Sequence, residues 1–262
     1  MSFLPTNREE MIRRGYDELD ILLVTGDFYV DHPSFGVSII GHLLEAEGYR
    51  VGLIFQPDWK NPDSLRTMGR PRIGVGVTSG NLDSMVNIYT AGRRFRKEDA
   101  YSENGVTGKR PPHAAVVYAQ LAKQAFPKIP VVLGGLEASL RRVAHYDYWQ
   151  DKIRPSVLVD SKADILCYGM GERPIPEIFR RLEKGEPLHG IRGTVLLLGK
   201  KQAESYLESG AEFTELPSYE EHLTDKDALM TSTKLIESEM NPFGGSTLVQ
   251  RYADRLLVVE PP

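Results

Sequence analysis

Cysteine is nearly absent from this chain, since Cys167 is the only one in 262 residues. One thiol excludes an intrachain disulfide and cannot supply the set of thiolates that holds an iron–sulfur cluster. Long hydrophobic runs are also missing, because no apolar stretch approaches the ~20 residues of a membrane helix. The first residues contain acids and a proline where a signal peptide has its apolar core. We therefore expect a reduced, cytoplasmic protein with no membrane partner.

A strong excess of charge of either sign is lacking too. The chain has 32 Lys and Arg against 36 Asp and Glu, a formal net charge of −4. The chain therefore has no overall positive charge of the kind that attracts nucleic acid, although it contains local basic clusters. The length and the 41% hydrophobic content suit one large globular domain, or one domain with an appendage.

Short apolar runs without polar alternation predict strands that are buried on both faces. These runs are residues 20–25, 51–55, 73–78, 131–135 and 164–169. Helical patterns lie between them, near residues 36–47, 113–125 and 173–184. Alternation of this kind predicts an α/β fold with a doubly wound parallel sheet of about five strands.

Two regions interrupt the alternation. Residues 92–112 are charged and rich in Gly and Pro, so they predict a long surface loop that is functional or disordered. After about residue 200 the sequence is acidic and helical, and it ends in an alternating pattern typical of a hairpin that turns near Ala253–Asp254. We therefore divide the chain into a domain over 1–200 and a helical and hairpin extension over 201–262.

The loops that follow the strands are the candidate site, because ligands bind outside the carboxyl ends of the strands in an open parallel sheet. Their glycines allow close backbone approach, and the helices that follow offer free N–H groups. Glycine in one such turn is explained by the turn itself, but four convergent loops favour a pocket. The candidate binding residues are Asp31, His32, Gly36, Thr78, Ser79, Gly80, Gly134, Gly135, Gly171 and Glu172.

His32 has two interpretations. An imidazole in the first strand-to-helix loop, beside a carboxylate that fixes its tautomer, could hold a transition metal from one side. Alternatively, His32 is hydrogen-bonded inside a proline-containing turn and Asp31 caps the next helix. No catalytic residue and no metal ligand set is assigned from the sequence.

Two further features are also open to two interpretations, and a third has one. The run from Arg141 to Lys152 is rich in Tyr, Trp, Arg and Asp, and it either forms a recognition surface or seals one face of the sheet. The basic residues from Arg93 to Arg110 either contact phosphates or form a solvated loop. Cys167 lies inside an apolar strand, which indicates inert packing.

Several stretches together resemble one known family. They are the opening "MSFLPT", residues 23–52 ("LVTGDFYVDHPSFGVSIIGHLLEAEGYRVG"), "GVTSGNLDSMVN" and residues 134–172 ("GGLEASLRRVAHYDYWQDKIRPSVLVDSKADILCYGMGE"). They closely resemble the N-terminal part of the YgiQ-type radical S-adenosylmethionine (SAM) proteins, and the resemblance covers nearly the whole chain.

The resemblance implies a flavodoxin-like, cobalamin-binding-type domain placed ahead of a radical SAM barrel. In the family the barrel binds a four-iron four-sulfur cluster through a CxxxCxxC motif, and the cluster cleaves S-adenosylmethionine. This chain has no such motif and ends at "LLVVEPP", about where the barrel would follow. We therefore interpret it as an isolated N-terminal module, from a truncation or an incomplete reading frame, that is catalytically silent alone and has the barrel as its partner.

Cobalamin is the leading ligand that the resemblance implies, with another small molecule as an alternative. Cobalamin domains with a lower histidine ligand carry D-x-H-x-x-G after the first strand, whereas here Asp31 is adjacent to His32 and Gly36 follows four residues later. The shifted spacing predicts that His32 does not ligate cobalt. The alternative function is a non-enzymatic recognition module, perhaps for RNA, that uses residues 93–110 and the aromatic run.

Overall fold

A computed structural model describes residues 3–239, 241 and 243–262. The strands are β1 (Ile21–Thr25), β2 (Val51–Phe55), β3 (Gly74–Thr78), β4 (Val131–Gly134), β5 (His145–Asp147), β6 (Lys152–Arg154), β7 (Ile165–Cys167), β8 (Thr194–Leu198), β9 (Phe213–Leu216), β10 (Thr247–Tyr252) and β11 (Arg255–Val259). The α-helices are α1 (Arg8–Arg13), α2 (Gly36–Ala46), α3 (Ser84–Ile88), α4 (Ala114–Ala125), α5 (Gly135–Leu140), α6 (Val157–Ser161), α7 (Pro174–Lys184), α8 (Lys200–Glu208), α9 (Tyr219–Thr224) and α10 (Lys226–Glu239).

The main sheet has nine strands in the order β2-β1-β3-β4-β7-β8-β11-β10-β9. Its first five strands are parallel, and their order is that of a flavodoxin-like fold. Each of the five corresponds to one of the apolar runs in the sequence. The prediction of a doubly wound α/β fold is therefore confirmed.

Both faces of the parallel strands are covered, which explains why the strands lack polar alternation. In β1, Ile21 and Leu23 pack on the side of α2 and α7. Leu22 and Val24 point to the opposite side, where α4 and α6 lie. Because successive side chains of a strand point to opposite faces of the sheet, neighbouring apolar residues of β1 pack in two separate cores.

The C-terminal hairpin is also confirmed, since β10 and β11 pair antiparallel and turn at Ala253 and Asp254. The hairpin continues the main sheet, because β11 pairs with β8 and β8 pairs with β7, both antiparallel. Strand β8 lies within the first 200 residues and was not predicted. The domain boundary at residue 200 stays a prediction.

The segment over 92–112 is irregular apart from an isolated bridge and a short 3-10 turn (Glu103–Gly105). Most of its first residues are exposed, as expected of a surface loop. Its second part is attached to the ends of β1 and β2: Phe28 N–H donates to the Tyr101 carbonyl at 2.8 Å, and Gln56 Nε2 donates to Ser102 Oγ at 2.6 Å. The loop is therefore tied to the carboxyl edge of the sheet.

Candidate functional site

A cleft of about 320 Å³ opens at the carboxyl edge of the parallel strands, on the face that α2 and α7 cover. It lies beside the reversal of strand order between β1 and β3, the position at which open α/β sheets bind ligands. We call it the ligand cleft. Its floor is formed by Leu23, Gly76, Val132 and Cys167, and its apolar walls by Val37, Ile40, Ile175 and Phe179.

Alternate glycines in β3 set the depth of this floor. A Cβ on Gly76 would stand 2.7 Å from Leu23 Cδ2, and one on Gly74 would stand 3.0 Å from Phe179 Cε1. Any larger residue at these two positions would push the neighbouring side chains outward. The run over 73–78 thus forms a strand of the sheet, and its glycines also leave room for the cleft.

The structure brings most of the candidate binding residues to this cleft. Those that line it are Gly36, Thr78, Gly80, Gly134, Gly135, Gly171 and Glu172. Ser79 is fully buried beneath it, where its Oγ donates to the Leu82 carbonyl at 3.0 Å. Asp31 and His32 do not line the cleft, although Pro33 and Ser34 of the same loop do.

The glycines of the cleft serve different purposes. Gly80 (φ +113°) and Gly135 (φ +84°) have backbone conformations that favour glycine, and their Cβ atoms would stand 2.1 Å from Asp27 Oδ1 and 2.3 Å from Thr78 Oγ1. Gly134 is extended (φ −155°), and the nearest atom to its Cβ position is 3.9 Å away. Gly80 and Gly135 therefore permit close contacts within the protein, while Gly134 leaves free space in the cleft.

Asp27 is the principal polar group of the cleft, and the sequence interpretation missed it. Its Oδ2 accepts from the Asn81 N–H at 2.7 Å, and its Oδ1 accepts from Arg110 Nη1 at the same distance. Burial raises the pKa of Asp27 above its ordinary value, and these hydrogen bonds only partly offset that effect. Asn81 Nδ2 also donates to the Ser34 carbonyl, which joins two loops at the cleft mouth.

Arg110 contradicts the interpretation of residues 93–110 as a solvated or phosphate-contacting group, because it is 2% exposed. Its Nε and Nη2 donate to the two carboxylate oxygens of Asp99 at 3.0 and 3.1 Å, while Nη1 donates to Asp27 and to the Ser79 carbonyl. Two buried carboxylates thus face one guanidinium. The long loop is anchored through this group to the base of the cleft.

Asp31 and His32 do not act as a pair, which corrects the first interpretation of this loop. In the second interpretation, the hydrogen bond of His32 within the turn is present, but the cap by Asp31 is not. Asp31 Oδ1 accepts from Ser38 Oγ at 2.9 Å and lies 2.8 Å from His42 Nε2, so its imidazole partner is the histidine of α2. Burial opposes ionisation of Asp31, but these hydrogen bonds outweigh it and lower its pKa. Helix α2 begins after Phe35 without a side-chain cap, so Asp31 does not cap it.

His32 itself is exposed, and its Nδ1 accepts from the Ser34 N–H at 3.1 Å. A neutral imidazole that accepts at Nδ1 carries its proton on Nε2. Ligation of a metal through Nε2 would therefore require the other tautomer and the loss of this hydrogen bond. This geometry agrees with the expectation from the shifted spacing.

The charge of the cleft is acidic. Among the described residues that line it, none is Lys, Arg or His, whereas Asp27 and Glu172 are present. Cys167 on the floor is inert as a nucleophile, because burial raises the pKa of its thiol to about 12. Over the described residues, no group of three or more His, Cys, Asp or Glu side chains is placed to hold a metal ion. The cleft thus suits a largely apolar ligand that is neutral or cationic.

Sequence reasoning could have found Asp27, since it follows β1 directly at the carboxyl edge of the sheet. It could not have found Arg110, which lies 83 residues away along the chain. The same holds for Phe179, which reaches the cleft from the middle of α7.

No helix of the described part of the chain is long and apolar enough to cross a membrane.

The family model described as "Radical SAM N-terminal" matches residues 3–262. The chain is 50% identical to the UPF0313 protein blr7973 of Bradyrhizobium diazoefficiens, with 99% of this chain and 41% of the relative covered. A UPF0313 protein of Thermotoga maritima is also 50% identical, with 99% and 45% covered.

The UPF0313 protein YgiQ of Escherichia coli is 42% identical, with 99% of this chain and 42% of the relative covered. The chain therefore spans less than half the length of these relatives. Among solved structures, it is similar to the radical S-adenosylmethionine methyltransferase TsrM from Kitasatospora setae with cobalamin and a 4Fe-4S cluster bound. The TM-score is 0.45 at 20% identity, with 68% of this chain and 27% of that chain covered.

The family model matches residues 3–262, and the relatives from Bradyrhizobium diazoefficiens and Escherichia coli each align with 99% of the chain. The resemblance drawn from the sequence is thereby confirmed: the chain belongs to the radical SAM N-terminal family, together with the YgiQ-type UPF0313 proteins.

Proposed function

We propose that this chain is the ligand-binding N-terminal module of a YgiQ-type radical SAM protein, and that its ligand cleft binds cobalamin. The observation that carries the proposal is the cleft itself, which is apolar, lined by backbone glycine and located at the reversal of strand order. Radical chemistry belongs to a separate barrel with its own cysteines, because Cys167 is the one cysteine here.

The chemistry of the lining supports a corrinoid over a nucleotide polyphosphate. Helix α2 begins at Gly36 on the cleft lining, so its N-terminus attracts a phosphate. The described lining residues nevertheless include no cation to neutralise a polyphosphate, and Asp27 and Glu172 repel it. The nucleotide base of a corrinoid is an apolar, uncharged bicyclic ring, which matches the apolar walls of the cleft. A bound cobalamin supplies radical and group-transfer chemistry at its cobalt.

The size of the cleft limits which part of the cofactor can enter. A volume of about 320 Å³ is at the low end of ligand pockets, which span about 300 to 1,000 Å³. A planar bicyclic base fits this volume, whereas a complete corrin ring does not. We therefore infer that the nucleotide base enters beside Gly134 and Ile40, and that the loops at the mouth contact the ring.

The proposal is tested by titrating the purified chain with hydroxocobalamin and following binding by equilibrium dialysis. Gly134→Leu is the informative variant, because the extended backbone accepts a side chain and the Cβ position faces open space. Leucine there should fill the cleft and weaken binding by at least tenfold. Saturable binding with one site per chain, lost in this variant, is the expected result.

Gly199→Leu is the matched control. Gly199 precedes α8 outside the cleft, has φ −72° and has no atom closer than 3.9 Å to its Cβ position. It should bind cobalamin like the unmodified chain. Equal cobalamin affinity of the Gly134 and Gly199 variants, or no saturable binding by the unmodified chain, would contradict the proposal.

A further inference from the structure

A second surface, separate from the ligand cleft, is formed by four aromatic rings from two distant segments. Tyr89 directly follows α3, and Phe95 lies at the start of the long loop. Tyr148 and Trp149 come from the turn of the β5–β6 hairpin. Ring centroids are 4.8 Å apart for Tyr89–Phe95, 5.3 Å for Tyr89–Trp149 and 5.2 Å for Tyr148–Trp149. We call these four residues the aromatic platform.

The platform is exposed rather than part of a core. Phe95 is 74% exposed and Tyr148 is 47% exposed. Large apolar side chains with this exposure are informative when they are contiguous, because isolated ones are common on any surface. The hairpin therefore does not seal a face of the main sheet, which was one of the two interpretations of this run.

The platform is held by the backbone on both sides. Tyr89 and Phe95 form a bridge, and the Thr90 N–H donates to the Arg94 carbonyl at 2.8 Å. Tyr148 Oη donates to the Ala91 carbonyl at 2.8 Å, which fastens the hairpin to the loop. Rings that are already fixed lose little conformational freedom when a planar ligand stacks on them.

Uncompensated positive charge surrounds the rings. Arg93, Arg94, Arg96 and Lys97 are all exposed. In the part of the chain that the structure describes, none of the four forms an ion pair with a carboxylate. The Arg93 guanidinium lies 4.5 Å from the centroid of the Tyr148 ring, so one cation already stacks on the platform.

Among the described residues, the acids of the hairpin form no ion pair with these four cations. Asp147 is buried, and its Oδ1 accepts from the N–H groups of Trp149 and Gln150. Asp151 accepts a hydrogen bond from the Tyr146 hydroxyl at 2.5 Å. With Glu98 included, residues 93–98 have four cations and one acid, a local charge of +3 on a chain of net charge −4.

We propose that the aromatic platform and its cations bind single-stranded nucleic acid. Exposed aromatic rings stack on unpaired bases, and flanking Arg and Lys contact the phosphates. Phe95 is the stacking residue, and Arg94 and Lys97 are the phosphate contacts. Aromatic residues and Arg are also enriched at protein interfaces. The local charge of +3 nevertheless favours a polyanion over a protein partner.

Fluorescence anisotropy with a labelled single-stranded RNA of about 12 nucleotides tests the proposal; an OB fold binds about 4–16 nucleotides, so this length is ample. Phe95→Ala should weaken binding by about tenfold, the loss expected for one stacked base. Arg94→Gln with Lys97→Gln should lower the slope of log affinity against log salt by about 1.4, or about 0.7 per phosphate contact.

Matched controls are available elsewhere on the chain. Phe243→Ala removes another highly exposed phenylalanine, and Lys200→Gln with Lys201→Gln removes two exposed cations of α8. Both controls should bind RNA as the unmodified chain does, and thermal unfolding checks that every variant is folded. Single-stranded DNA of the same sequence distinguishes the two kinds of nucleic acid, and the matching duplex should bind more weakly because its bases are already stacked.

Three results would each overturn the proposal. They are an affinity that Phe95→Ala leaves unchanged, a salt slope that Arg94→Gln with Lys97→Gln leaves unchanged, and a duplex that binds as well as the single strand. The aromatic platform would in that case be a contact surface for another protein or domain.

Discussion

Arg110 and Asp27 are 83 residues apart in the chain and form an ion pair of 2.7 Å beside the ligand cleft, with side chains 1% and 2% exposed. Asp99 completes the group from the same loop as Arg110. Because Asp27 lines the cleft, the hydrogen bonds of the Arg110 guanidinium connect the long loop to the candidate binding site.

Arg110→Met should destabilise the chain by about 3–5 kcal/mol, because it leaves two buried carboxylates without their cation. Urea denaturation followed by tryptophan fluorescence measures this. Lys109→Met, at the exposed neighbouring position, is the control and should change the free energy of unfolding by less than about 0.5 kcal/mol. Similar effects of the two substitutions would show that the buried ion pair does not stabilise the fold.

The destabilisation by Arg110→Met should be smaller at about pH 5 than at pH 7. The pKa of Asp27 is already raised by burial, and loss of Arg110 raises it further. A carboxyl with a raised pKa in the folded state binds a proton more readily when folded, so stability increases as pH falls through that window. A destabilisation that grows on acidification would contradict this assignment.

Asp20 predicts the opposite dependence on pH. Burial alone would raise the pKa of Asp20, but hydrogen bonds from Arg50 and Arg72 outweigh it and lower that pKa to about 2. Its stabilising contribution of about 2 kcal/mol is present above about pH 4 and is lost as pH falls towards 2.

Asp20→Asn should remove this contribution, so that the variant loses less stability than the unmodified chain between about pH 4 and pH 2. Acid titrations of the free energy of unfolding measure the difference. Asp17→Asn, at an exposed position, should leave the profile unchanged. Parallel curves for the Asp20 variant and the unmodified chain would show that Asp20 is not coupled to folding.

We expect no iron–sulfur cluster on this chain. A 4Fe-4S cluster that reacts with S-adenosylmethionine needs three thiolates, and Cys167 is one buried thiol with a pKa of about 12. Anaerobic reconstitution with iron and sulfide should give no cluster absorption, with Cys167→Ser as the matched control. Stoichiometric iron together with cleavage of S-adenosylmethionine would refute this expectation.

His32→Ala should leave the visible spectrum of bound cobalamin unchanged. His32 does not line the ligand cleft, and ligation through Nε2 would cost the hydrogen bond that its Nδ1 accepts from the Ser34 N–H. Absorbance spectra of the two complexes at saturation provide the comparison. A change typical of a lost axial nitrogen would show that His32 is a ligand after all.

The division of the chain at residue 200 is testable by limited proteolysis. Strand β11 pairs with β8, and Ala144 N–H donates to Gln250 Oε1 at 2.9 Å across the division. Only Gly199 separates β8 from α8, so we expect the chain near residue 200 to resist cleavage. Rapid cleavage there would show that the extension separates from β8.

Much of the architecture follows from the amino-acid sequence alone. Runs such as 51–55 and 131–135 are apolar throughout, and only a strand covered on both faces buries every side chain of so short a segment. The alternation of these runs with helical patterns determines a parallel sheet, and a parallel sheet puts the loops after its strands at one edge. The location of the candidate site could therefore be predicted from the sequence alone.

The tertiary structure alone decided which side chains meet. Asp31 and His32 are adjacent in the sequence, yet the imidazole that lies against Asp31 belongs to His42 in helix α2. The sequence placed Arg110 among solvated basic residues, yet that guanidinium is buried between Asp27 and Asp99. The physical reason is that backbone patterns depend on local periodicity, whereas the partner of a charged side chain depends on distances across the fold, and several equivalent carboxylates compete for each cation.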